Sequence, residues 1–303
     1  MLSIIIPTFN DDCSHLVCDL QKQCEEMQAM HEDFAYEILV GDDHSTDSEV
    51  AAHNAVVEYL PECRYIEYEE NVGRALHRNR LIEESRYDWV LIIDADAEVI
   101  DDDFILKYWL AQKTSPEGDI FVGGLTTPAV AAPGCELRHR YETEVQGRRT
   151  LEVRRENPAA NFSTFNFMAR RCVLNAVRFD TRCKAYGYED ALFGIEAAQR
   201  GYKILHIDNP LQHNGINDSA AFLRNSETAL QTLATLGPPM TDHARVARMA
   251  KKMEQLHLAA ILRGFFSLLA PLLRSNLLSR KPSLKIFAYY KLGYYLTLKQ
   301  AKK

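Results

Sequence analysis

Four short apolar runs separated by three polar stretches of helical length fill the first third of this chain, and that alternation constrains the fold more than any other feature. SIII (3–6) precedes 14–30, EILVG (37–41) precedes 47–59, RYIEY (64–68) precedes 73–85, and WVLIID (89–94) closes the series. A helix between two strands returns the chain to begin the next strand in the same direction, so this order predicts βαβ units around a parallel sheet. The expected architecture is α/β: a doubly wound, mostly parallel open sheet flanked by helices. With 303 residues, 47% of them hydrophobic, the chain has material for one large or two modest cores.

Ligands of such sheets bind beyond the carboxyl ends of the strands. The polar residues there are Pro7, Thr8, Phe9 and Asn10 after the first run, Asp42 to Asp47 after the second, and Asp94 and Asp96 after the fourth. Asp, Ser and Thr also favour helix N-caps, so capping explains 42–47 equally well taken alone. VLIIDADAEV (90–99) poses a sharper question, because two carboxylates at i and i+2 after a buried strand repel one another and resist desolvation. A hard divalent cation that also holds substrate phosphate resolves the conflict. The other reading is a solvated strand end that caps a helix starting near Asp101.

From 120 to 215 the pattern is mixed, with IFVGGLTTP, NFSTFNFMARR, a helix near 189–200 and the run YKILHID (202–208). We read it as completing one domain over 1–217, followed by a helical, basic extension over 218–303. Residues 245–303 hold 13 Lys and Arg against the single Glu254, a net +12, which leaves −19 on residues 1–244 out of a total of −7. The most apolar stretch, HLAAILRGFFSLLAPLL (257–273), is broken by Arg263 and Pro271 and falls short of a span of about 18 to 20 clean residues. Two readings of this tail stay open: an interfacial helix drawn to an anionic membrane surface, or helices packed on the rest of the chain or in a homodimer. The seven cysteines lack CxxC spacing, and the amino end lacks a basic leader, so reduced thiols in a cytoplasmic protein, free or peripheral on the inner face of the membrane, are expected.

IIIPTFN, VGDDHSTD, NVGRALHRN (71–79), IIDADAEV and YGYEDALFGIEAAQRGYKI (186–204) occur in that order. As an ordered set covering roughly residues 1–215 they resemble an inverting family 2 glycosyltransferase of the GT-A fold. The resemblance implies a nucleotide-sugar donor, UDP-linked in most relatives, and Mn²⁺ or Mg²⁺ as cofactor. It places Pro7, Thr8 and Asn10 along the nucleoside, Asp43 on the base, and Arg78 and Asn79 at the base or pyrophosphate. Asp94 would serve the ribose and the outer shell of the metal. With Ala95 between them, Asp96 would ligate the cation. His77 stands where relatives often have alanine.

A further metal ligand is expected at His213 in LQHNG, while His206 lies inside a strand where a structural role is favoured. An acceptor hydroxyl must lose its proton as the glycosidic bond forms, which makes Asp190 the general base. Glu189 then binds the acceptor or fixes the loop, although both acids also suit the first turn of a helix. Asn166 would lie near the donor sugar, and Gly123 and Gly124 either admit the donor or mark a strand bulge. The resemblance implies a glycan or lipid-linked glycan as acceptor, in cell-surface polysaccharide synthesis, and no nucleic acid is expected as partner. Three other readings compete: an inactive nucleotide-sugar-binding scaffold, a haloacid-dehalogenase-like phosphatase, disfavoured because Glu98 stands where it needs Thr or Val, and a dinucleotide oxidoreductase, disfavoured because GxGxxG is missing after the first run.

Overall fold

The computed structural model describes residues 1–183, 187–238 and 240–301, with backbone alone at 146 and 301. Tyr186, part of one motif quoted above, lies outside the described residues. The four apolar runs form β1 (Leu2–Thr8), β2 (Tyr36–Asp42), β3 (Cys63–Glu67) and β4 (Trp89–Ile93). Helices Ser14–Met30, Ser48–Ala55 and Arg74–Glu84 connect them, the second running on into a 3₁₀ turn at Val56–Tyr59. Asp47 caps the second of these helices, accepting from the N–H groups of Glu49 and Val50 at 3.1 and 3.3 Å, so the capping reading holds for that one acid.

Beyond β4 come β5 (Ala97–Glu98), β6 (Ile120–Val122), β7 (Leu125–Thr126), β8 (Asn166–Arg170), β9 (Ile204–His206) and β10 (Leu211–His213). The main sheet runs β3-β2-β1-β4-β8-β6-β9, and only β8 opposes its neighbours. Successive residues of a strand point to opposite faces, and both faces here are buried. Ile4, Ile6, Ile38, Val40, Leu91 and Ile93 pack with Leu16, Leu20, Phe104 and Tyr108. Ile5, Leu39, Val90 and Ile92 pack with Leu81, Ile82, Leu174 and Phe193. Coverage on both sides is why the runs of β1, β2 and β4 are almost continuously apolar rather than alternating, while β3, at the edge of the sheet, is only partly buried. Each such side chain contributes about 1.5 to 3 kcal/mol on burial, so a charge at Ile92 would open the centre of the sheet.

A second, three-stranded sheet in the order β5-β10-β7 sits past the end of β4. It aligns His213 opposite Ala97 and Gln212 opposite Glu98.

The chain divides into two compact units. The first comprises Met1–Pro128, Arg149–Lys184 and Asp190–Gly215, and holds both sheets; the second comprises Ala129–Arg148, Ala185–Glu189 and Ile216–Lys303. The second unit is helical, with Ser219–Leu236, Arg245–Gln255, Ala259–Leu277 and Leu284–Ala301 as its longer carboxyl-side elements. Asp218 starts the first of these by accepting from Ala220 and Ala221 N–H at 2.8 Å, and Gly237, at φ +66°, ends it in a conformation that favours glycine. Leu137, Phe222, Leu223, Phe266, Leu277, Phe287 and Tyr290 form the core of this unit. Among the described residues, no single helix is long and apolar enough to cross a membrane.

Candidate active site

The loops after β1 and β2 are tied together before any ligand is considered. Asn10 adopts φ +56°, a left-handed conformation that asparagine tolerates. Its Oδ1 accepts from Thr46 and Asp47 N–H at 2.8 and 2.9 Å, and its own N–H donates to Ser45 Oγ at 2.8 Å. Thr8 is buried and donates to the carbonyl of Asp11 at 2.7 Å; Pro7 is half-buried beside it. Asp42 accepts from Ser45 N–H at 2.8 Å and from the Tyr65 hydroxyl. Asp43 is buried and accepts from Val72 N–H on one oxygen and Gly73 N–H on the other, each at 2.9 Å. Burial raises its carboxyl above the usual range, an effect the two backbone donors offset in part. Each oxygen keeps a lone pair for a further donor.

The Asp-Ala-Asp segment occupies a turn. The carbonyl of Asp94 accepts from Ala97 N–H at 3.2 Å, closing a four-residue bend between β4 and β5 with Ala95 tucked inside it. The next helix begins at Phe104, so neither Asp94 nor Asp96 caps it. Arg78, only 2% exposed, donates from Nη2 to Asp94 Oδ1 at 2.7 Å. Asp96 Oδ2 lies 3.1 Å from His213 Nε2. The small sheet produces that contact: the His213–Ala97 register delivers the imidazole to the residue just before Ala97. Burial pushes the Asp96 carboxyl up, but the hydrogen bond and charge of His213, with Arg74, hold it below its ordinary value. Gly215 closes over the same group, since a methyl there would lie 2.0 Å from Asp96 Oδ2.

Sequence reasoning passed over Asp11 and left Arg74 and Gly215 without roles. The carboxyl of Asp11 is raised, first by removal from solvent and then by the charges of Asp96 and Asp94, while Arg74 and His213 oppose the shift. Its position one residue past Asn10, at the end of the first apolar run, was the available signal. His77 packs under β2: a methyl at Gly41 would come within 2.8 Å of its Nε2, and Tyr68 meets its ring edge-on at 5.3 Å. Burial first, then Arg78, lowers its pKa to about 4, so it is neutral.

Other residues named from the sequence turn out to hold the frame. Asn79 donates to the carbonyl and accepts from the N–H of Phe179, both at 2.9 Å. Asn166 is buried, accepting from Tyr108 hydroxyl at 2.6 Å and donating to Asn209 and Gly124 carbonyls at 2.8 and 3.2 Å. Gly123 is glycine because a methyl would strike Asn209 O at 2.3 Å and Asn166 Nδ2 at 2.5 Å, while Gly124 combines φ +99° with the Arg154 guanidinium against it. His206 is a satisfied structural histidine: Nε2 meets Pro158 O at 3.0 Å and Nδ1 accepts from Arg154 at 3.2 Å. Burial lowers its pKa to about 4.

Glu189 is buried and accepts from Gly187 N–H at 3.1 Å, fixing the turn that opens helix Glu189–Gln199. Asp190, in the first turn of that helix, is partly open and accepts from Ala191 N–H at 2.6 Å. Phe193, one turn on, stacks on Phe179 at 4.8 Å, and the Arg78 guanidinium lies 5.6 Å from that same ring. A continuous packed path thus joins Asp94, Arg78, Phe179 and the helix that carries Asp190.

Among the described residues, no group of three or more His, Cys, Asp or Glu stands in ligating geometry. Two protein donors do converge, and the 3.1 Å between Asp96 Oδ2 and His213 Nε2 is close to the separation of adjacent ligands, about 3 Å, around an octahedral ion with ligands at about 2.1 Å. The spacing of the pair therefore fits two protein ligands of a divalent cation.

A family model described as Glycosyl transferase family 2 matches residues 3–178. No curated protein matches the sequence significantly. Among solved structures the chain is similar to a mannosyltransferase from Pyrobaculum calidifontis in complex with GDP-Man and Mn²⁺, at 17% identity and TM-score 0.54 over 99% of this chain and 86% of that one. It is similar also to S. aureus TarS 1–349 in complex with UDP-GlcNAc, at 16% identity and TM-score 0.53 over 99% and 91%. A third likeness is to glucosyl-3-phosphoglycerate synthase from Mycobacterium tuberculosis with Mg²⁺ and UDP, at 15% and 0.53 over 78% of each chain. At such identities the likeness establishes the fold.

Proposed function

Because the chain belongs to glycosyl transferase family 2 and has the GT-A fold, we propose that it transfers a sugar from a nucleoside diphosphate to a hydroxyl of a glycan or lipid-linked glycan. In this reading UDP is the first candidate nucleotide, Mn²⁺ or Mg²⁺ is required, and the anomeric centre is inverted. The observation that carries it is the convergence of Asp96 and His213 at 3.1 Å, with Asp94 held by the buried Arg78 at 2.7 Å, at the carboxyl end of β4. The solved relatives, crystallised with Mn²⁺ or Mg²⁺ and nucleotide, support the choice of cofactor. The bound cation would supply charge neutralisation on the departing diphosphate.

The protein groups act around that charge. Asp43, its carboxylate oriented by Val72 and Gly73, accepts an N–H from the base. Pro7 and Thr8 line the nucleoside, and Asn10 holds their loop against the loop after β2. Arg78 orients Asp94 toward the ribose and contributes positive charge near the diphosphate. Asn79 and Asn166 position: one fixes the Phe179 segment under Arg78, the other the Gly123–Gly124 segment beside the sugar. Glu189 sets the turn before Asp190, and Asp190 takes the proton of the acceptor hydroxyl. The acceptor oxygen bonds to the anomeric carbon as the carbon–diphosphate bond breaks, the electron pair leaving with the diphosphate, so one displacement inverts the centre.

Calorimetry with UDP and Mn²⁺, paired with an assay for released UDP over a panel of UDP- and GDP-sugars, tests the reading. Asp190→Asn should lower transfer by about 10²- to 10⁴-fold with nucleotide affinity kept, and Asp96→Ala should remove the Mn²⁺ dependence of binding. Normal turnover by Asp190→Asn would overturn the base assignment, and an unchanged Mn²⁺ titration for Asp96→Ala would overturn the metal assignment.

A further inference from the structure

Helix Ala259–Leu277 buries Ala259, Phe266 and Leu277 within its own unit, with Phe266 against Gly293 and the Tyr290 ring. Its opposite side is uncovered. Ile261 is 55% exposed, Phe265 54%, Leu268 74% and Leu272 69%. Spaced by four, three and four residues, these side chains form one stripe along the helix, and exposed Leu258 and Leu278 extend it at either end. Arg263 and Arg274 are the only charged residues of the helix. Both are half-buried, and Arg274 is turned to Glu227 at 3.0 Å. Cations gather instead at the two ends of the stripe: Arg245, Arg248, Lys251 and Lys252 are exposed on the preceding helix, and Arg280, Lys281 and Lys285 are exposed after it. Glu254, the one acid of residues 245–303, is paired with Lys299 at 2.9 Å.

We infer that this face docks on the surface of an anionic lipid bilayer, with the stripe at the level of the acyl chains and the terminal cations on the headgroups. An apolar face bounded by Lys and Arg is the composition that lies in a membrane interface, and an uncovered stripe of large aliphatic and aromatic side chains marks an interaction site. The helix lies on the membrane, since among the described residues no single helix is both long and apolar enough to span it, and the pair it forms with Arg245–Gln255, which passes that test only together, is bent by 119°. Charge decides against a second copy as occupant. A two-fold contact through this face would set two segments of net +12 against each other, whereas anionic headgroups complement them. With −19 on residues 1–244, attraction to such a surface must arise in this tail.

The test is co-sedimentation of the full chain, without donor or metal, with vesicles of phosphatidylcholine alone or mixed equally with phosphatidylglycerol. Binding to the mixed vesicles should exceed binding to the neutral ones by about tenfold or more, and should weaken with salt. Leu268→Asp combined with Leu272→Asp should abolish it, and Lys251→Glu combined with Lys252→Glu should weaken it by about tenfold or more. All four side chains are exposed, so thermal melts should match the parent. Absence of vesicle binding overturns the inference, as does equal binding by the aspartate double variant. A stable dimer in sedimentation equilibrium that the aspartate variant splits, without vesicle binding, also overturns it and assigns the face to a second copy.

Discussion

Gly215→Ala is the smallest change that should disable the site without touching a charged group. The added methyl would lie 2.0 Å from Asp96 Oδ2 and 2.6 Å from both Cβ and Cγ of that residue. Ordinary contact begins near 3.4 Å, so the carboxylate or the strand end must give way by roughly 1.4 Å. Retreat of Asp96 breaks its 3.1 Å contact with His213, while movement of 215 pulls on the β5–β10 register that delivers that histidine. Misplacement of a positioned group by about 1 Å costs on the order of 10²-fold in rate, so kcat/KM should fall by about 10²-fold, with a weaker response to Mn²⁺. Gly147→Ala is the control, because a methyl there meets nothing within 4 Å and sits on a helix. The assay is UDP release against Mn²⁺ concentration, with thermal melts for both variants. Parental kinetics and Mn²⁺ response in folded Gly215→Ala would refute the claim that the site depends on where Asp96 is held.

Asn166→Asp replaces the amide that donates to Asn209 and Gly124 carbonyls by a group with no donor, and buries a charge beside them; urea melts should show a loss of about 2 to 3 kcal/mol or more. Stability should also fall on acidification. His77 and His206 are both lowered to about 4 from an ordinary 6.5, so between those values the unfolded chain binds protons that the native state refuses. Their contribution is fully present above about pH 6.5 and declines down to about pH 4. Melts across that window check it, and His77→Gln, which cannot titrate, should flatten the slope.

Much of this architecture was legible because it depends on period. The runs at 3–6, 37–41 and 89–94 are largely apolar on both faces, as a sheet covered on both sides requires, 64–68 forms the partly buried edge strand, and each became a strand within two residues. His213 was reachable from its place after the YKILHID run, and the fold sets it, at the end of β10, against Asp96. The polar supports were less legible. Asn79 and Asn166 belong to motif segments, yet an amide that binds a ligand and one that ties down a backbone look alike in sequence; only the partners, Phe179 in one case and Tyr108, Asn209 and Gly124 in the other, separate them. Gly215 acts on Asp96 by contact and Asp11 by charge, each across more than eighty residues, and local pattern does not reveal which distant residue either one meets.

The charges at the end of β4 give a physical reason why donor binding, on the reading proposed here, should depend on a cation. Asp11, Asp94 and Asp96 influence one another there, and the positive groups facing them are Arg74 and Arg78. Arg78 is committed: it is buried, and its pairing with Asp94 offsets the penalty of holding a guanidinium out of water. Asp11 is raised, first by its removal from solvent and then by the charges of Asp96 and Asp94, while Asp96 is held below its ordinary value by His213 and Arg74. A nucleoside diphosphate adds more negative charge to the same place, and against unneutralised acids it would be repelled. Asp96 and His213, already spaced as a pair of ligands, would hold a divalent cation, and its charge would reverse the sign of that interaction. The arrangement therefore couples metal to donor: each should bind weakly alone and tightly in the presence of the other, a reciprocity that follows from linkage and is readable as equal shifts in the two affinities.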